Sequence, residues 1–363
     1  MDEHDRHQLG HYDHISEWFP LLGPSHTFDT KILDLSLEEG QALLKVREFG
    51  RMLGQMWNMS ETEEDKQKVR EMDPRDMLER NHPELSVALR EAAVRVDEVI
   101  KQFPQGAFVR MNTRSPKDGA LGRGLVLQLV KEAIEASPQE DPHSLACAVA
   151  DGIIYWSCTS RACRVRSGEE AIELLSSSNR VQTDLSLGFL TRGQSLPVVI
   201  REWEDIHPEY EFRVFVVRNQ VTAITQYHAA LYVPEMVENK ERVVELILLE
   251  FEAVKGKLRA PEDTYTIDFV ICPDFSRARV IEINDPPPVA GTALFNWDDE
   301  NDRRLVEEGP LSVRMIESPV PWKEQQVAAS MHQPIVQYID QLRGRLPLPP
   351  TTTPQPETTC NLV

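Results

Sequence analysis

One stretch of the chain, residues 264–285 with the sequence TYTIDFVICPDFSRARVIEIND, constrains the fold more than any other. Apolar and polar residues alternate on both sides of a turn at residues 273–277, which predicts a β-hairpin. The first strand carries Asp268, and the second carries Glu282 and Asn284, which share a face because residues two apart on a strand point the same way. If Asp268 lies across the hairpin from them, three oxygen ligands of the kind that bind Mg²⁺ converge. The alternative is a surface hairpin with one exposed acid on each strand.

The composition limits the classes of function. The chain has 363 residues, 41% of them hydrophobic, and a net charge of −20. This length allows one large domain or two ordinary ones, and the charge excludes a general surface for nucleic acid or anionic membrane, although a local basic cleft can exist in an acidic body. Five cysteines without zinc-binding spacing predict reduced thiols in a cytoplasmic protein. Because no run of 18 apolar residues exists and the first residues are polar, we expect neither a membrane span nor a signal peptide.

Two patches before the hairpin are rich in cations. The first is a strand that runs into a polar loop over residues 108–118, which places Arg110, Arg114 and Lys117 near one another beside Ser115. Cations and loop amides in such an arrangement bind phosphate groups. The alternative is a solvated basic loop.

The second patch is an antiparallel strand pair with one arginine on each strand, Arg201 and Arg213. Arg213 alternates with apolar residues, so it either reaches a phosphate or forms a cross-strand ion pair with Glu202 or Glu211. The three patches together have the layout of a nucleoside triphosphate site, in which cations hold phosphates and a metal ion bridges phosphate oxygens to acids. Neither a Walker sequence nor the protein-kinase motifs are present.

The ordered set of segments resembles the cell division cycle protein 123 family over about residues 15–320. The likeness is carried by residues 15–22 (ISEWFPLL), 108–118 (FVRMNTRSPKD), 199–203 (VIREW), 211–215 (EFRVF), 267–269 (IDF), 281–284 (IEIN) and 293–297 (ALFNW). The resemblance implies an ATP-grasp-like α+β fold. In that fold two α+β lobes with antiparallel sheets enclose a nucleotide cleft.

The resemblance also implies sites for ATP and Mg²⁺. Arg110 takes the place of the family's phosphate-binding lysine, and Arg201, Glu202 and Trp203 form the strand beside the adenine. The full set of implied ATP-binding residues is Arg110, Asn112, Ser115, Lys117, Asp118, Arg201, Glu202, Trp203 and Arg213. The implied metal ligands are Asp268, Glu282 and Asn284.

The chain departs from the family pattern at five positions. Arg110 replaces a lysine, Thr113 a tryptophan and Glu282 an aspartate. Asp285 is followed by three prolines, and Gly291 stands where the family has an aspartate. These changes leave the metal chemistry intact and bear on partner recognition.

The family assists assembly of eukaryotic translation initiation factor 2 by binding its gamma subunit, and its members bind ATP without an established turnover. The resemblance therefore implies an Mg-ATP-binding assembly chaperone. The alternative is an ATP-grasp enzyme, a ligase or phosphotransferase acting on an unknown acceptor, and the sequence leaves open whether ATP is hydrolysed. A third hypothesis, a scaffold that has lost ATP, is disfavoured because Asp268, Glu282 and Asn284 are retained.

The domain organisation follows from composition and from the positions of the motifs. We predict a disordered N-terminus (1–14), an N-terminal lobe (15–195) with a charged insertion at about 60–80, a C-terminal lobe (196–330), a terminal helix (331–345) and a disordered Pro/Thr-rich tail (346–363). Cys360 begins an ending that has the shape of a prenylation box, and a chance ending is the alternative.

Helical periodicity and capping patterns predict the main helices, and β-branched alternation predicts the strands. The helices are expected at 37–56, 82–103, 125–136, 167–175, 235–258 and 333–343, and the strands outside the hairpin at 31–35, 107–112, 197–203, 211–218 and 221–227.

Overall fold

The computed structural model describes residues 12–192 and 197–347. Most of the predicted N-terminal disorder and of the tail, including Cys360, lies outside the described residues, so those predictions remain predictions. The helices are α1 (Ile15–Leu22), α2 (Leu37–Met59), α3 (Glu63–Arg70), α4 (Pro74–Asn81), α5 (Pro83–Ile100), α6 (Lys117–Leu121), α7 (Gly124–Ala136), α8 (Leu145–Arg161), α9 (Gly168–Ser177), α10 (Asn179–Arg192), α11 (Pro234–Glu238), α12 (Lys240–Val254), α13 (Glu300–Glu308), α14 (Trp322–Ala328) and α15 (Gln333–Leu342). The strands are β1 (Thr30–Asp34), β2 (Ala107–Met111), β3 (Arg164–Val165), β4 (Pro197–Glu202), β5 (Glu211–Val217), β6 (Gln220–Gln226), β7 (Tyr265–Ile271), β8 (Ala278–Asn284) and β9 (Ser312–Arg314).

The chain divides into two units, and each unit is assembled from separate chain segments. The described residues of the first, the hairpin unit, are 12–29, 136–157 and 205–336. Those of the second, the loop unit, are 30–135, 158–192, 197–204 and 337–347. The sequence predicts two continuous lobes with a boundary near residue 195, whereas the structure interleaves the segments.

Packing explains why the first half of α8 belongs to the hairpin unit. The side chain of Gln325 donates from Nε2 to the carbonyl oxygen of Ala148 at 2.9 Å. The backbone N–H of His332 donates to the Tyr155 hydroxyl at 2.7 Å. These contacts join positions 177 residues apart, and sequence periodicity carries no information about them.

The hairpin unit is built on a five-stranded sheet in the order β8-β7-β5-β6-β9. Neighbouring strands are antiparallel except β6 and β9, which run parallel. Helix α12 packs against β7 and β8 and buries its apolar stripe, which includes Val243, Ile247 and Phe251. The predicted helix over 235–258 is interrupted at Asn239, whose side chain bonds back to the carbonyl of Glu235 at 2.8 Å.

The loop unit is built on a four-stranded antiparallel sheet in the order β1-β4-β2-β3. Helices α2, α5 and α9 pack on one another. The predicted capping box at the start of α2 is confirmed: the amide of Glu39 donates to Ser36 Oγ at 3.1 Å, and the amide of Ser36 donates to Glu39 Oε2 at 2.6 Å. At α9, Ser167 Oγ accepts from the amide of Glu170 at 3.2 Å, but the Glu170 carboxylate accepts from the amide of Arg166 at 2.9 Å instead of closing a capping box.

The charged insertion at about 60–80 folds as two short helices rather than as a loop. Thr62 caps α3 and Asp73 caps α4. No residue of α3 is buried, whereas α4 buries Leu78 completely and packs on α2 and α5. Helix α3 is therefore solvated, whereas α4 is docked on its neighbours through Leu78.

Across residues 12–192 and 197–347, no helix is both long and apolar enough to cross a membrane.

Candidate functional site

The polar residues of the β7–β8 hairpin meet as their spacing predicted. Asp268 lies directly opposite Glu282, and Thr266 lies opposite Asn284. The Asn284 amide donates from Nδ2 to Asp268 Oδ2 at 2.8 Å. Two carboxylates and an amide therefore lie on one face of two neighbouring strands.

Arg213 on β5 is the main partner of Asp268. The register of β5 and β7 places the two residues opposite each other, and the guanidinium donates from Nε to Oδ1 and from Nη2 to Oδ2, both at 2.8 Å. The sequence offered Glu202 or Glu211 as ion-pair partners, and neither is the one observed. Sheet order decides this, because β5 pairs with a strand that lies about fifty residues later in the chain.

This ion pair is almost fully removed from water, with 10% of the Arg213 side chain and 3% of the Asp268 side chain exposed. Burial raises the pKa of the Asp268 carboxyl, the charges of Glu282 and Glu211 act in the same direction, and Arg213 opposes them. Burial alone would lower the pKa of Arg213, but the charge and hydrogen bonds of Asp268 outweigh it and raise that pKa. Burial, helped by these two acids, therefore outweighs the stabilisation of the ionised carboxylate by Arg213.

Two further contacts hold the Arg213 side chain. Its Nη1 donates to the carbonyl of Gly291 at 3.0 Å, and its guanidinium lies 4.9 Å from the centre of the Tyr227 ring. A Cβ atom at Gly291 would lie only 3.0 Å from Nη1. The glycine thus allows the close approach of its own backbone to the arginine.

A second arginine on the same face was not predicted. Arg213 lies opposite Thr225 on β6, and Thr225 lies opposite Arg314 on β9, so the two arginines face the same way. Arg314 binds both carboxylate oxygens of Asp302 and donates to the carbonyl of Leu294 at 3.0 Å. It anchors the segment that carries Gly291, and the sequence gives no signal of this pairing because Arg314 lies on a three-residue strand.

In the loop unit, the sheet brings together the arginines of the two cationic patches. Arg201 lies opposite Phe108, and Arg110 follows Phe108 by two residues, so both arginines lie on one face. They are 4% and 5% exposed. Asn112, two residues further on, is also buried, and its backbone N–H donates to the carbonyl of Pro197 at 3.1 Å.

Arg110 shapes the loop that follows it. Its Nε donates to the carbonyl of Met111 at 3.1 Å, and its Nη2 donates to the carbonyl of Thr113 at 2.9 Å. The chain turns tightly here, because the amide of Met111 donates to the carbonyl of Arg114 at 3.0 Å. Ser115 in this turn is buried, so the loop is a fixed structure rather than a solvated tail.

The last two residues of the predicted phosphate loop, Lys117 and Asp118, lie in different environments. Lys117 is exposed at the start of α6. Asp118 instead serves the N-terminus of α10: it accepts from Ser178 Oγ at 2.5 Å and from the amide of Asn179 at 2.8 Å. A carboxylate stabilises this end of a helix, where unpaired amides carry partial positive charge.

The adenine strand predicted at 201–203 ends in a buried tryptophan. Trp203 is 7% exposed, its amide donates to the carbonyl of Gly106 at 3.0 Å, and the Arg164 guanidinium lies 5.9 Å from its ring. Glu202 is half-buried and points to the opposite face from Arg201.

One acid of the loop unit was missed entirely. Asp184 on α10 accepts a short hydrogen bond from Thr113 Oγ1, and its Oδ1 lies 3.2 Å from Arg114 Nε. It lies 71 positions from Thr113, and its helix has no motif that would have drawn attention to it.

The candidate metal ligands form a mixed set. No cluster of three or more His, Cys, Asp and Glu side chains suited to a metal ion occurs among the described residues. The hairpin instead offers two such acids and the amide of Asn284. These are hard oxygen donors, which suit Mg²⁺ better than a transition metal.

A model of the family D123 matches residues 154–338, which is half of the chain. The chain belongs to the D123 family. The matched range contains the hairpin, Arg201 and Arg213, while the strand and loop of residues 107–118 lie before it.

Relatives of the chain bear two printed names. "Cell division cycle protein 123" of Eremothecium gossypii is 26% identical over 193 residues, which cover 52% of this chain and 53% of that protein. "Translation initiation factor eIF2 assembly protein" of Dictyostelium discoideum is 29% identical over 133 residues, which cover 35% of this chain and 34% of that protein. The chain thus spans about half or less of the length of these relatives.

A solved structure supports the fold independently. Cdc123 from Schizosaccharomyces pombe superimposes with a TM-score of 0.54 at 18% identity, covering 87% of this chain and 99% of that one. The predicted ATP-grasp-like α+β fold is confirmed, and so is the resemblance to the cell division cycle protein 123 family.

Proposed function

We propose that this D123-family chain is an Mg-ATP-binding assembly factor that acts on translation initiation factor 2 through its gamma subunit. The observation that carries the proposal is the family match over residues 154–338. Relatives in Dictyostelium discoideum, Schizosaccharomyces pombe and Danio rerio are named as assembly proteins of this factor. Because the alignments cover less than half of these relatives, the partner is part of the proposal.

Asp268, Glu282 and Asn284 would hold Mg²⁺, and the chemistry of the set fits that ion. Asn284 uses its Nδ2 to bind Asp268, which leaves its amide oxygen as a donor for a cation. The charges of Glu282 and Glu211 act on Asp268 from nearby, and such a group of acids favours a cation over a second anion. A bound Mg²⁺ would supply the positive charge that phosphate oxygens need.

Arg213 would orient Asp268 for this role. Both of its fork nitrogens are committed to the carboxylate, and Nη1 is committed to the Gly291 carbonyl. A side chain held in this way fixes a ligand's position.

The loop unit would bind the phosphates. Arg110 and Arg201 are buried cations on one sheet face, and Lys117 is an exposed cation at the end of the fixed loop. Planar guanidinium groups match phosphate oxygens in pairs, and a lysine adds a mobile point charge.

Calorimetry with Mg-ATP tests the nucleotide part of the proposal. The informative variant is Glu282→Gln, because Asp268→Ala would leave Arg213 buried without its partner and would test stability instead. We expect Glu282→Gln to weaken Mg-dependent binding by about tenfold or more, as expected for the loss of a charged metal ligand. Asp274→Asn, an exposed acid in the turn of the same hairpin, is the matched control and should bind as the wild type does. A wild-type protein that does not bind Mg-ATP would overturn this part.

Affinity capture tests the partner. The full-length chain should retain the gamma subunit of translation initiation factor 2 from an extract, and the same preparation should be assayed for ADP formation. Capture without ADP formation supports an assembly factor. ADP formation dependent on an added acceptor, without capture, would favour the ligase or phosphotransferase alternative.

A further inference from the structure

Two neighbouring residues of the predicted phosphate loop, Thr113 and Arg114, both bind one carboxylate, that of Asp184. Thr113 donates to its Oδ2 through a short hydrogen bond, and Arg114 Nε lies 3.2 Å from its Oδ1. The Asp184 side chain is 9% exposed, whereas that of Arg114 is 46% exposed. Both partners belong to the loop that the sequence predicts to bind phosphate.

Two more arginines act on the same carboxylate. Burial raises the pKa of Asp184, and Thr113, Arg114, Arg180 and Arg110 oppose this increase. Arg180 lies one helical turn before Asp184 on α10. Three guanidinium groups thus act electrostatically on this one carboxylate, and that of Arg114 is in direct contact with it.

A second acid near this loop has a different role. The neighbouring Asp118 is directed to the N-terminus of α10, where it accepts from Ser178 and from the amides of Asn179 and Arg180. Asp184 is therefore the anion around which Thr113 and Arg114 are arranged.

We propose that Asp184 is an internal anion that occupies the phosphate position of the 110–117 loop, so that an incoming phosphate group must displace its carboxylate. This inference rests on the proposed function and deepens it, because it names the group that competes with the ligand. A carboxylate and a phosphate use the same donors, namely a hydroxyl and guanidinium nitrogens. They cannot share those donors at contact distance, because like charges at this separation repel strongly.

The displacement has a direct consequence for affinity. Part of the binding energy of the ligand is spent on moving Asp184 away from Thr113 and Arg114, so the site binds anions more weakly than its cations alone would allow. Replacing the carboxylate by a neutral group of the same shape removes both the competition and the repulsion.

Binding of inorganic pyrophosphate tests this inference without nucleotide or metal. Asp184→Asn should bind pyrophosphate about tenfold more tightly than the wild type, and the gain should shrink as salt is raised, since the effect is electrostatic. Glu173→Gln, which removes one exposed acid from α9 of the same unit, should leave the affinity unchanged. Asp184→Glu, which keeps the charge, should show no comparable gain.

The outcomes separate this inference from the proposed function. Unchanged or weaker pyrophosphate binding by folded Asp184→Asn would overturn the inference, and so would an equal gain with Asp184→Glu. If Asp184→Asn does not fold, Asp184→Ala takes its place with the same expectation. Tighter pyrophosphate binding by the variant, together with no Mg-ATP binding by any form, would support the anion competition and overturn the nucleotide proposal instead.

Discussion

The two units differ in the charges and contacts that surround a buried carboxylate. The described residues of the hairpin unit include 29 Asp and Glu and 13 Lys and Arg, so their net charge is 13 − 29 = −16. Those of the loop unit include 26 Asp and Glu and 25 Lys and Arg, so their net charge is 25 − 26 = −1. In the hairpin unit Asp268 is bound by both fork nitrogens of one arginine among other acids. In the loop unit Asp184 is approached by one nitrogen of Arg114 among other cations.

Because their contacts differ, the two carboxylates have different roles. The pair of Arg213 and Asp268 is closed, because two guanidinium nitrogens bind both carboxylate oxygens and both side chains are buried. The cluster around Asp184 is open, because one hydroxyl and one guanidinium nitrogen bind its carboxylate and Arg114 is half exposed. A closed pair orients a site, whereas an open cluster can exchange its anion.

Among the variants that test this comparison, Arg213→Met should have the largest effect on stability. Because Asp268 would remain buried without its counter-ion, we expect a loss of about 3–5 kcal/mol in the free energy of unfolding, measured with denaturant. The double variant with Asp268→Leu should recover much of the loss, since it leaves no buried charge. A single variant with nearly wild-type stability would show that the pair is not closed.

Glycines next to the two sites should differ in the stability that is lost when alanine replaces them. A Cβ at Gly119 would lie 2.8 Å from the backbone oxygen of Leu174, whereas a Cβ at Gly291 would meet a side-chain atom, Nη1 of Arg213, at the longer distance of 3.0 Å. We expect Gly119→Ala to cost about 1–3 kcal/mol of unfolding free energy and Gly291→Ala to cost less. The control Gly50→Ala has space, with Pro74 Cγ at 3.8 Å, and should stabilise α2 by up to about 1 kcal/mol. A larger cost at Gly291 would contradict this order.

The pH dependence of stability gives a smaller effect. Burial raises the pKa of Asp184 above its ordinary value, so the folded state binds a proton more readily than the unfolded state does. The contribution of this group to stability is therefore present at low pH and is lost as pH rises through the raised pKa. The difference in unfolding free energy between Asp184→Asn and the wild type should grow in favour of the variant between about pH 4 and pH 7. A difference that shrinks over this range would contradict the assignment.

The smallest effect is expected where an ion pair is exposed. Lys240 Nζ lies 2.8 Å from Glu317 Oε1, and 62% of the Glu317 side chain is exposed. Water screens such a pair, so Glu317→Gln should leave the Tm unchanged in a thermal melt. A decrease in Tm comparable with that of Arg213→Met would mean that burial is not what separates the ion pairs.

Seven of the nine described strands could be predicted, but only six helical ranges were predicted against fifteen described helices, and three of the failures have identifiable causes. Alternation located β5 to β8, and the capping box located the start of α2. Helix α8 was not predicted, because its apolar residues form no single stripe, and α4 was not predicted, because one buried leucine is hidden in a charged segment. The helix predicted at 235–258 was too long because Asn239 bonds to the backbone and ends α11.

The residues of the candidate site were likewise predictable only where their partners lie close in the sequence. Asp268, Glu282 and Asn284 could be placed together from the sequence, because a hairpin fixes the register of two adjacent strands. The partner of Arg213 could not, because β5 pairs with β7 across 55 positions. Asp184 was missed for the same reason, since Thr113 lies 71 positions away.

By itself, the sequence determined the local order of this protein: the alternating strands, the capped helices, the acidic balance and the family to which the chain belongs. Only the tertiary structure decided which charges meet. Local patterns act through the backbone between near neighbours. The pairing of Arg213 with Asp268 and the contacts of Thr113 and Arg114 with Asp184 instead depend on sheet order and helix packing, which bring distant residues out of water together.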